Sequence, residues 1–175
     1  VTCREVSPHW RCFFEDSTRI DLHPDPSATC AHNEALTRED EEELRHFLAY
    51  SADLYENVTP GYFDQGLDTT WEMMRFYGAV PSAWNFDLLR SMAHGVKKRV
   101  KNPYLRDILN FFVKYVGSSP YDAPGVLNLL PHVQCEYGLW YVDGGMFELA
   151  QALQRLAVDA GIEMHLNTEV TRLHT

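Results

Sequence analysis

The sequence has no run of apolar residues approaching the ~20 that a helix needs to cross a bilayer, so membrane contact is expected to be peripheral. Cations are scarce: 15 Lys and Arg stand against 25 Asp and Glu, a net charge of −10. Phosphate contacts need clustered Lys and Arg, so nucleic acid is set aside as a partner. The four cysteines, Cys3, Cys12, Cys30 and Cys135, form no C-x-x-C pair and no spacing matched to histidine. No metal is therefore expected, and the thiols read as a reduced, cytoplasmic set. No serine stands in a G-x-S-x-G elbow, and no Ser–His–Asp or Cys–His constellation is present. No G-x-G-x-x-G follows an N-terminal strand, so the dinucleotide-binding fingerprint is missing. Asn57-Val58-Thr59 matches a glycosylation acceptor, but no signal peptide precedes it and Pro60 follows, so the match is read as chance.

What is present describes a folded chain. Its 175 residues are 45% apolar, enough for one domain core with a small appendage. Aromatic residues at 13% and charged residues at 23% exclude disorder. Trp10, Cys12 and Phe14 alternate with Arg11 and Phe13, Glu15 to Thr18 supply turn chemistry, and Ile20 and Leu22 resume the alternation. This reads as a β-hairpin that must join a larger sheet.

Helices follow. Thr37 with Asp40 forms an approximate capping box, and Leu44, Phe47, Leu48, Leu54 and Val58 recur at helical spacing until Pro60 and Gly61, which are expected to end the helix. Glu41 to Glu43 form its wet, dipole-favourable start. Thr69 or Thr70 caps a short helix through Trp71, Met74 and Tyr77, halted by Gly78 and Pro81. A third helix is expected over about 85–100, and a fourth from Pro103 to Val116, with apolar residues nearly all round it. Such a helix is buried or lines a lipid-like surface. Lys97, Lys98, Arg99 and Lys101 have two readings, a helix end where cations suit the dipole or contact with anionic lipid headgroups.

The most informative stretch is Tyr137-Gly138-Leu139-Trp140-Tyr141-Val142-Asp143-Gly144-Gly145-Met146. It predicts an aromatic strand, a glycine turn and a helix carrying Leu149, Leu153 and Leu156 on one face. Gly161 then stops that helix, and Ile162, Met164 and Leu166 alternate as a strand. The glycines either permit tight packing or let the backbone approach a ligand.

Gly117-Ser118-Ser119-Pro120-Tyr121-Asp122-Ala123-Pro124, then Gly138 to Tyr141 and Gly144-Gly145-Met146, resemble the bacterial-type phytoene desaturases, FAD-dependent carotenoid dehydrogenases and isomerases. Val6 to Arg11 with Ile20-Asp21-Leu22, then Phe47 to Tyr55, Asn102 to Arg106 and Leu166 to Val170, continue the resemblance in the family's order. The resemblance implies an α+β chain: a helix-rich substrate domain over residues 1–142 with part of an antiparallel sheet, and a helix-strand piece of an FAD-binding domain over 143–175. It implies FAD as cofactor in a full-length protein and a polyene, carotenoid-type substrate. With both ends reading as cut, the chain is expected to be the middle of a flavoprotein, inactive alone, peripherally membrane-associated and able to self-associate through an exposed sheet edge and apolar face.

The same resemblance implies site residues. Arg106 matches a family arginine considered for acid–base work, although its acidic partner position holds Asn102, and the alternative is an ion pair with a surface carboxylate. Val170 is the candidate for backbone contact with FAD, with Gly144 and Gly145 beside the cofactor. Trp140, Tyr141, Phe112 and Tyr115 are the candidates for contact with the polyene. His132 and Glu136 read as satisfied polar groups or as a relay, with Pro131 and Gly138 arguing against one helix holding both. Two rivals remain: another flavoprotein of the amine-oxidase superfamily acting on a retinoid or amine, and a non-enzymatic lipid-binding module.

Overall fold

A strand forms only where another backbone completes its hydrogen bonds, and the computed structural model contains two such pairs among the residues it describes, 1–67, 69–78 and 86–173. β1 (Cys3–Glu5) runs antiparallel to the late strand β4 (Trp140–Val142), with Arg4 opposite Tyr141. Between them in sequence, β2 (Trp10–Phe13) and β3 (Arg19–Leu22) form the expected hairpin, with Trp10 opposite Leu22 and Cys12 opposite Ile20. Arg11 and Asp21 meet on the other face, Nε to Oδ1 at 2.7 Å, and the guanidinium holds the Asp21 carboxyl below the usual carboxylate range.

Helices account for most of the rest. α1 (Pro26–Ala31) is capped by Asp25, whose side chain accepts the Ser27 and Ala28 N–H groups. α2 (Arg38–Val58) starts at the Thr37–Asp40 capping box, Asp40 serving where the usual box has Glu or Gln. Pro60 and Gly61 do not end the helical path as expected. A π turn over Thr59–Phe63 absorbs the proline, whose missing N–H gives up one bond of the continuing path, and Thr59 Oγ1 donates to Tyr55 O at 2.8 Å. α3 (Thr70–Tyr77) is capped by Thr69; Pro81 lies outside the described residues.

The helix expected over 85–100 is shorter. α4 spans Met92–Arg99, because Ser91 is extended and its hydroxyl accepts the His94 N–H, while Asp87 at φ 48° turns the chain before it. Residue 85 lies outside the described residues. α5 (Pro103–Phe111) tightens into a 3-10 turn over Phe112–Tyr115. A second 3-10 turn, Gly125–Leu129, leads into α6 (Leu130–Tyr137), which carries both His132 and Glu136. Pro131 did not prevent this, since it occupies the first turn. α7 (Phe147–Asp159) ends as expected at Gly161: the Ile162 N–H reaches Ala157 O and the Gly161 N–H reaches Val158 O, both at 2.9 Å, a Schellman closure.

The strand expected at 162–170 is absent. Ile162, Met164, Leu166 and Val170 are exposed, and Asn167 takes φ 53°. Alternation prepares a segment for a sheet, but no neighbouring backbone in the described residues pairs with it. α7 buries none of its residues, so its Leu149, Leu153 and Leu156 face is uncovered.

The fold is α+β, in two compact units, residues 7–139 and residues 1–6 with 140–175. In the larger unit Ile20, Leu22, Phe47, Met92, Val96, Leu105, Leu109 and Phe112 make one core, and Leu54, Val58, Phe86 and Leu129 a second cluster. Ser51 ties α2 to α6, donating to Asn128 O and accepting the His132 N–H. Among the described residues no helix is long and apolar enough to cross a membrane.

Burial pushes the Cys30 and Cys135 thiols up to about 11 from 9.0, whereas Cys3 is exposed. The thiolate is the reactive form, so Cys3 is expected to alkylate first at mildly alkaline pH, with Cys30 and Cys135 reacting only on unfolding. Mass mapping after partial iodoacetamide treatment checks this; early label at Cys135 would refute it. For the same two thiols the folded pKa lies above the unfolded one. Their contribution is therefore fully present below about 9 and is lost as pH rises towards about 11.

Candidate functional site

Asn102 begins the region that the sequence singled out. Its side chain accepts the Tyr104 N–H at 3.0 Å and the Leu105 N–H at 3.3 Å, capping α5. A neutral residue at this position thus has structural work of its own. Arg106, one turn on, donates from Nε to Val100 O at 2.5 Å. Its partner is a backbone carbonyl, not the surface carboxylate considered above.

The end of α5 and the 3-10 turn after it divide their residues between two surroundings. Phe112 and Val113 point into the core, while Phe111, Lys114 and Tyr115 face outwards. Trp10, delivered from β2, lies 4.3 Å from Phe112, 5.8 Å from Phe111 and 6.5 Å from Tyr115 between ring centroids. The Lys114 ammonium sits 3.8 Å from the Trp10 centroid, 4.8 Å from Phe111 and 5.1 Å from Tyr115. Burial moves this lysine below the ordinary range. Among the described residues no carboxylate pairs with Lys114.

A polar path starts beside it. The Tyr115 hydroxyl donates to Gln134 Oε1 at 2.8 Å, and Gln134 Nε2 lies 3.4 Å from His9 Nδ1. Gln134 and His9 are both buried. Burial raises the Tyr115 phenol, which keeps it a donor. His132 and Glu136 form no such path: the His132 ring lies tilted, 5.3 Å from the Tyr55 ring, whose hydroxyl is 3.0 Å from that of Tyr137. Among the described residues no three His, Cys, Asp or Glu side chains converge to hold a metal.

Of the residues expected to meet a polyene, Phe112 is a core residue, 1% exposed, and Tyr115 is half exposed beside Lys114. Trp140 and Tyr141 belong to the other unit, exposed on β4, with the Arg4 guanidinium 5.1 Å from the Tyr141 centroid and 3.4 Å from Asp143 Oδ1. Gly144 and Gly145 follow at φ 86° and 95°, and the Gly145 N–H closes the turn on Val142 O at 2.9 Å. A Cβ on Gly145 would meet nothing within 4 Å, and one on Gly144 would meet Glu148 Cγ at 2.9 Å. Backbone conformation therefore requires Gly145, and at Gly144 the close Glu148 stem adds a second reason. Asp143 precedes the turn, paired with Arg4, and Glu148 stands in the first turn of α7, where a carboxylate suits the helix dipole. Val170 is exposed in the extended C-terminal segment of the same unit.

Sequence reasoning missed Lys114, Gln134 and His9. The available signal for Lys114 was a lone cation inside the apolar run Phe111 to Val116.

No family model matches the chain. Over 173 residues, 99% of the chain, it is 46% identical to a 4,4'-diapolycopene oxygenase of Methylomonas sp. Over 175 residues it is 43% identical to a 4,4'-diaponeurosporene oxygenase of Staphylococcus aureus (strain MRSA252). The chain spans 35% of the length of each of these relatives. Its homologues are thus carotenoid-modifying enzymes, and their names specify oxygenation where the resemblance to phytoene desaturases had implied dehydrogenation.

Proposed function

We propose that this chain is the substrate-side segment of an FAD-dependent enzyme that oxygenates a linear carotenoid of the diapolycopene or diaponeurosporene type. The observation that carries the proposal is 46% identity to a named oxygenase over 99% of the chain. A polyene hydrocarbon offers no polar handle, so its affinity comes from apolar contact at roughly 25 cal/mol per Å² buried. In the larger unit Trp10, Phe111 and Tyr115 present aromatic surface of that kind, and in the smaller unit Trp140 and Tyr141 do so on their own.

FAD would supply the redox chemistry when bound. Within this chain the residues that would meet it are Gly144, Gly145 and Val170. The glycine-rich pyrophosphate cradle is absent from this sequence. Arg106 enters as an orienting cation, its Nε already committed to Val100 O.

The test is product analysis with the full reading frame containing this chain, a linear carotenoid hydrocarbon and isotopically labelled dioxygen. A labelled oxygen in the product supports the proposal. A product that has lost two hydrogens and carries no label returns the desaturase reading. Bound but unchanged carotenoid favours a lipid-binding module.

Such a substrate resides in membranes, and peripheral membrane contact belongs to the same proposal. Tyr62, Phe63, Trp71 and Phe76 are exposed aromatic side chains on the π turn and α3, of the type that settles at a bilayer interface. The basic cluster is less suited to lipid. Lys101 is taken up by Glu39 at 2.8 Å and Glu43 at 3.2 Å, and Arg99 lies 3.3 Å from the Tyr50 centroid. Replacing Trp71 and Phe76 by serine is expected to weaken sedimentation with phosphatidylcholine vesicles by roughly a hundredfold or more, at about 1.5–3 kcal/mol per buried aromatic. K97Q with K98Q should have little effect; the reverse order would point to the basic cluster.

A further inference from the structure

We infer that Lys114 is a recognition site for the oxygen-bearing end of a polyene. The inference rests on the proposed reaction class and adds to it a residue that distinguishes an oxygenated ligand from a hydrocarbon.

The geometry is that of an exposed cation lying over a patch of aromatic rings. Three rings approach the ammonium, from Trp10 at 3.8 Å, Phe111 at 4.8 Å and Tyr115 at 5.1 Å. Phe111 at 56%, Tyr115 at 51% and Val116 at 50% exposure leave apolar surface open on its flanks. The chain has 25 acidic residues, yet among the described residues none forms an ion pair with this lysine. The aromatic faces attract the cation but accept no directed hydrogen bond from it as a carbonyl or carboxylate would. The ammonium therefore keeps donors for a ligand, next to surface on which a polyene chain can lie.

A linear polyene has two similar ends, and oxygenating one converts the hydrocarbon into an amphiphile. To present its second end for reaction it must place the oxygenated end at a distance, against protein. A carbonyl or carboxylate withdrawn from water without a partner is penalised. A charge-assisted hydrogen bond from Lys114 removes that penalty, and the plain hydrocarbon draws no benefit from it. Lys114 would thus favour the once-oxygenated intermediate over fresh substrate.

The bland alternative is a lysine whose stem covers Trp10 and whose charge matters little. Two variants separate these readings, K114M, which keeps the stem without the charge, and K114R, which keeps the charge. In the full protein, the ratio of two-end to one-end oxygenated product is expected to fall about tenfold in K114M, the effect of one charged hydrogen bond, and to be largely retained in K114R. An unchanged ratio in K114M, or an equal loss of both oxygenations, overturns the inference. A second measurement keeps the site separate from the reaction. Fluorescence titration with parinaric acid, a polyene carboxylate, and with its methyl ester should show a preference for the acid that K114M abolishes and K114R retains. If wild-type protein oxygenates nothing or only one end, this titration decides alone. A preference that depends on Lys114 upholds the site while the proposed reaction is revised, and its absence removes the site as well.

Discussion

Asn33→Ala is expected to lower the stability of the larger unit by about 3 kcal/mol, a midpoint shift of roughly 6–12 °C for a chain of this size. Asn33 is 5% exposed and stands where a third strand would stand beside β3. Its Oδ1 accepts the Asp21 N–H at 2.8 Å, and its Nδ2 donates to Asp21 O at 2.8 Å and to Thr29 O at 2.5 Å. A carboxamide carries the same donor and acceptor as a peptide group, so one side chain completes the outer edge of the strand at Asp21. Alanine leaves one N–H and two carbonyls unpartnered in a buried setting, at about 1–3 kcal/mol for each group that water does not reach. Asn33→Asp preserves the shape but turns an acceptor towards two carbonyl oxygens, and should be at least as damaging near neutral pH. Urea unfolding followed by tryptophan fluorescence measures both. A loss below about 1 kcal/mol in Asn33→Ala would mean that water replaces the amide, and the edge-completion account would fall.

Gly95→Ala is the second large effect, at about 2 kcal/mol destabilising, against the direction that helix propensity alone predicts. Gly95 is buried in the first half of α4, where alanine would ordinarily gain up to about 1 kcal/mol. Here the added Cβ would lie 2.4 Å from Asn128 Nδ2 and 3.2 Å from the Tyr50 hydroxyl. Asn128 cannot easily withdraw. It is fully buried, its Nδ2 donates to Met92 O at 3.1 Å, and its backbone carbonyl accepts from Ser51. Tyr50 is held as well, donating to Asp87 Oδ2 at 2.8 Å beneath the Arg99 guanidinium, with burial first among the causes that push its phenol up to about 12. Overpacking of about 1–3 kcal/mol with a displaced buried hydrogen bond outweighs the propensity gain. The double variant Gly95→Ala with Asn128→Ala should recover part of the loss by opening the space. If Gly95→Ala alone stabilises the chain, α4 and the Gly125–Leu129 turn are not packed as described.

The elements that sequence reading placed correctly are those whose causes lie within a few residues. Thr37 and Thr69 cap helices because an extended residue with a hydroxyl precedes an apolar period, and Pro103 opens α5 because its missing N–H is harmless there. The hairpin at Trp10 to Leu22 and the stop at Gly161 are equally local. The misplacements share another origin. α4 starts late because Met92 and Ala93 give their N–H groups to Ala123 O and Pro120 O, some thirty residues on. The helical path continues past Pro60, where the Tyr77 hydroxyl accepts the Gly61 N–H at 2.6 Å. The alternating segment at 162–170 forms no strand, since alternation cannot supply the neighbouring backbone a ladder requires.

The candidate site divides along the same line. The order of motifs from Val6 to Val170 by itself led to carotenoid-modifying enzymes. Glycines at 144 and 145 were legible as a turn, because positive φ is a property of single residues. That Phe112 is core, that Arg106 answers a backbone carbonyl, and that Lys114 stands among Trp10, Phe111 and Tyr115 were not legible. Trp10 and Lys114 are separated by about a hundred residues, and their meeting depends on the hairpin packing against the end of α5. Local preferences are encoded residue by residue along the chain, whereas a cation's surroundings are decided by which distant side chains the packed core brings to it.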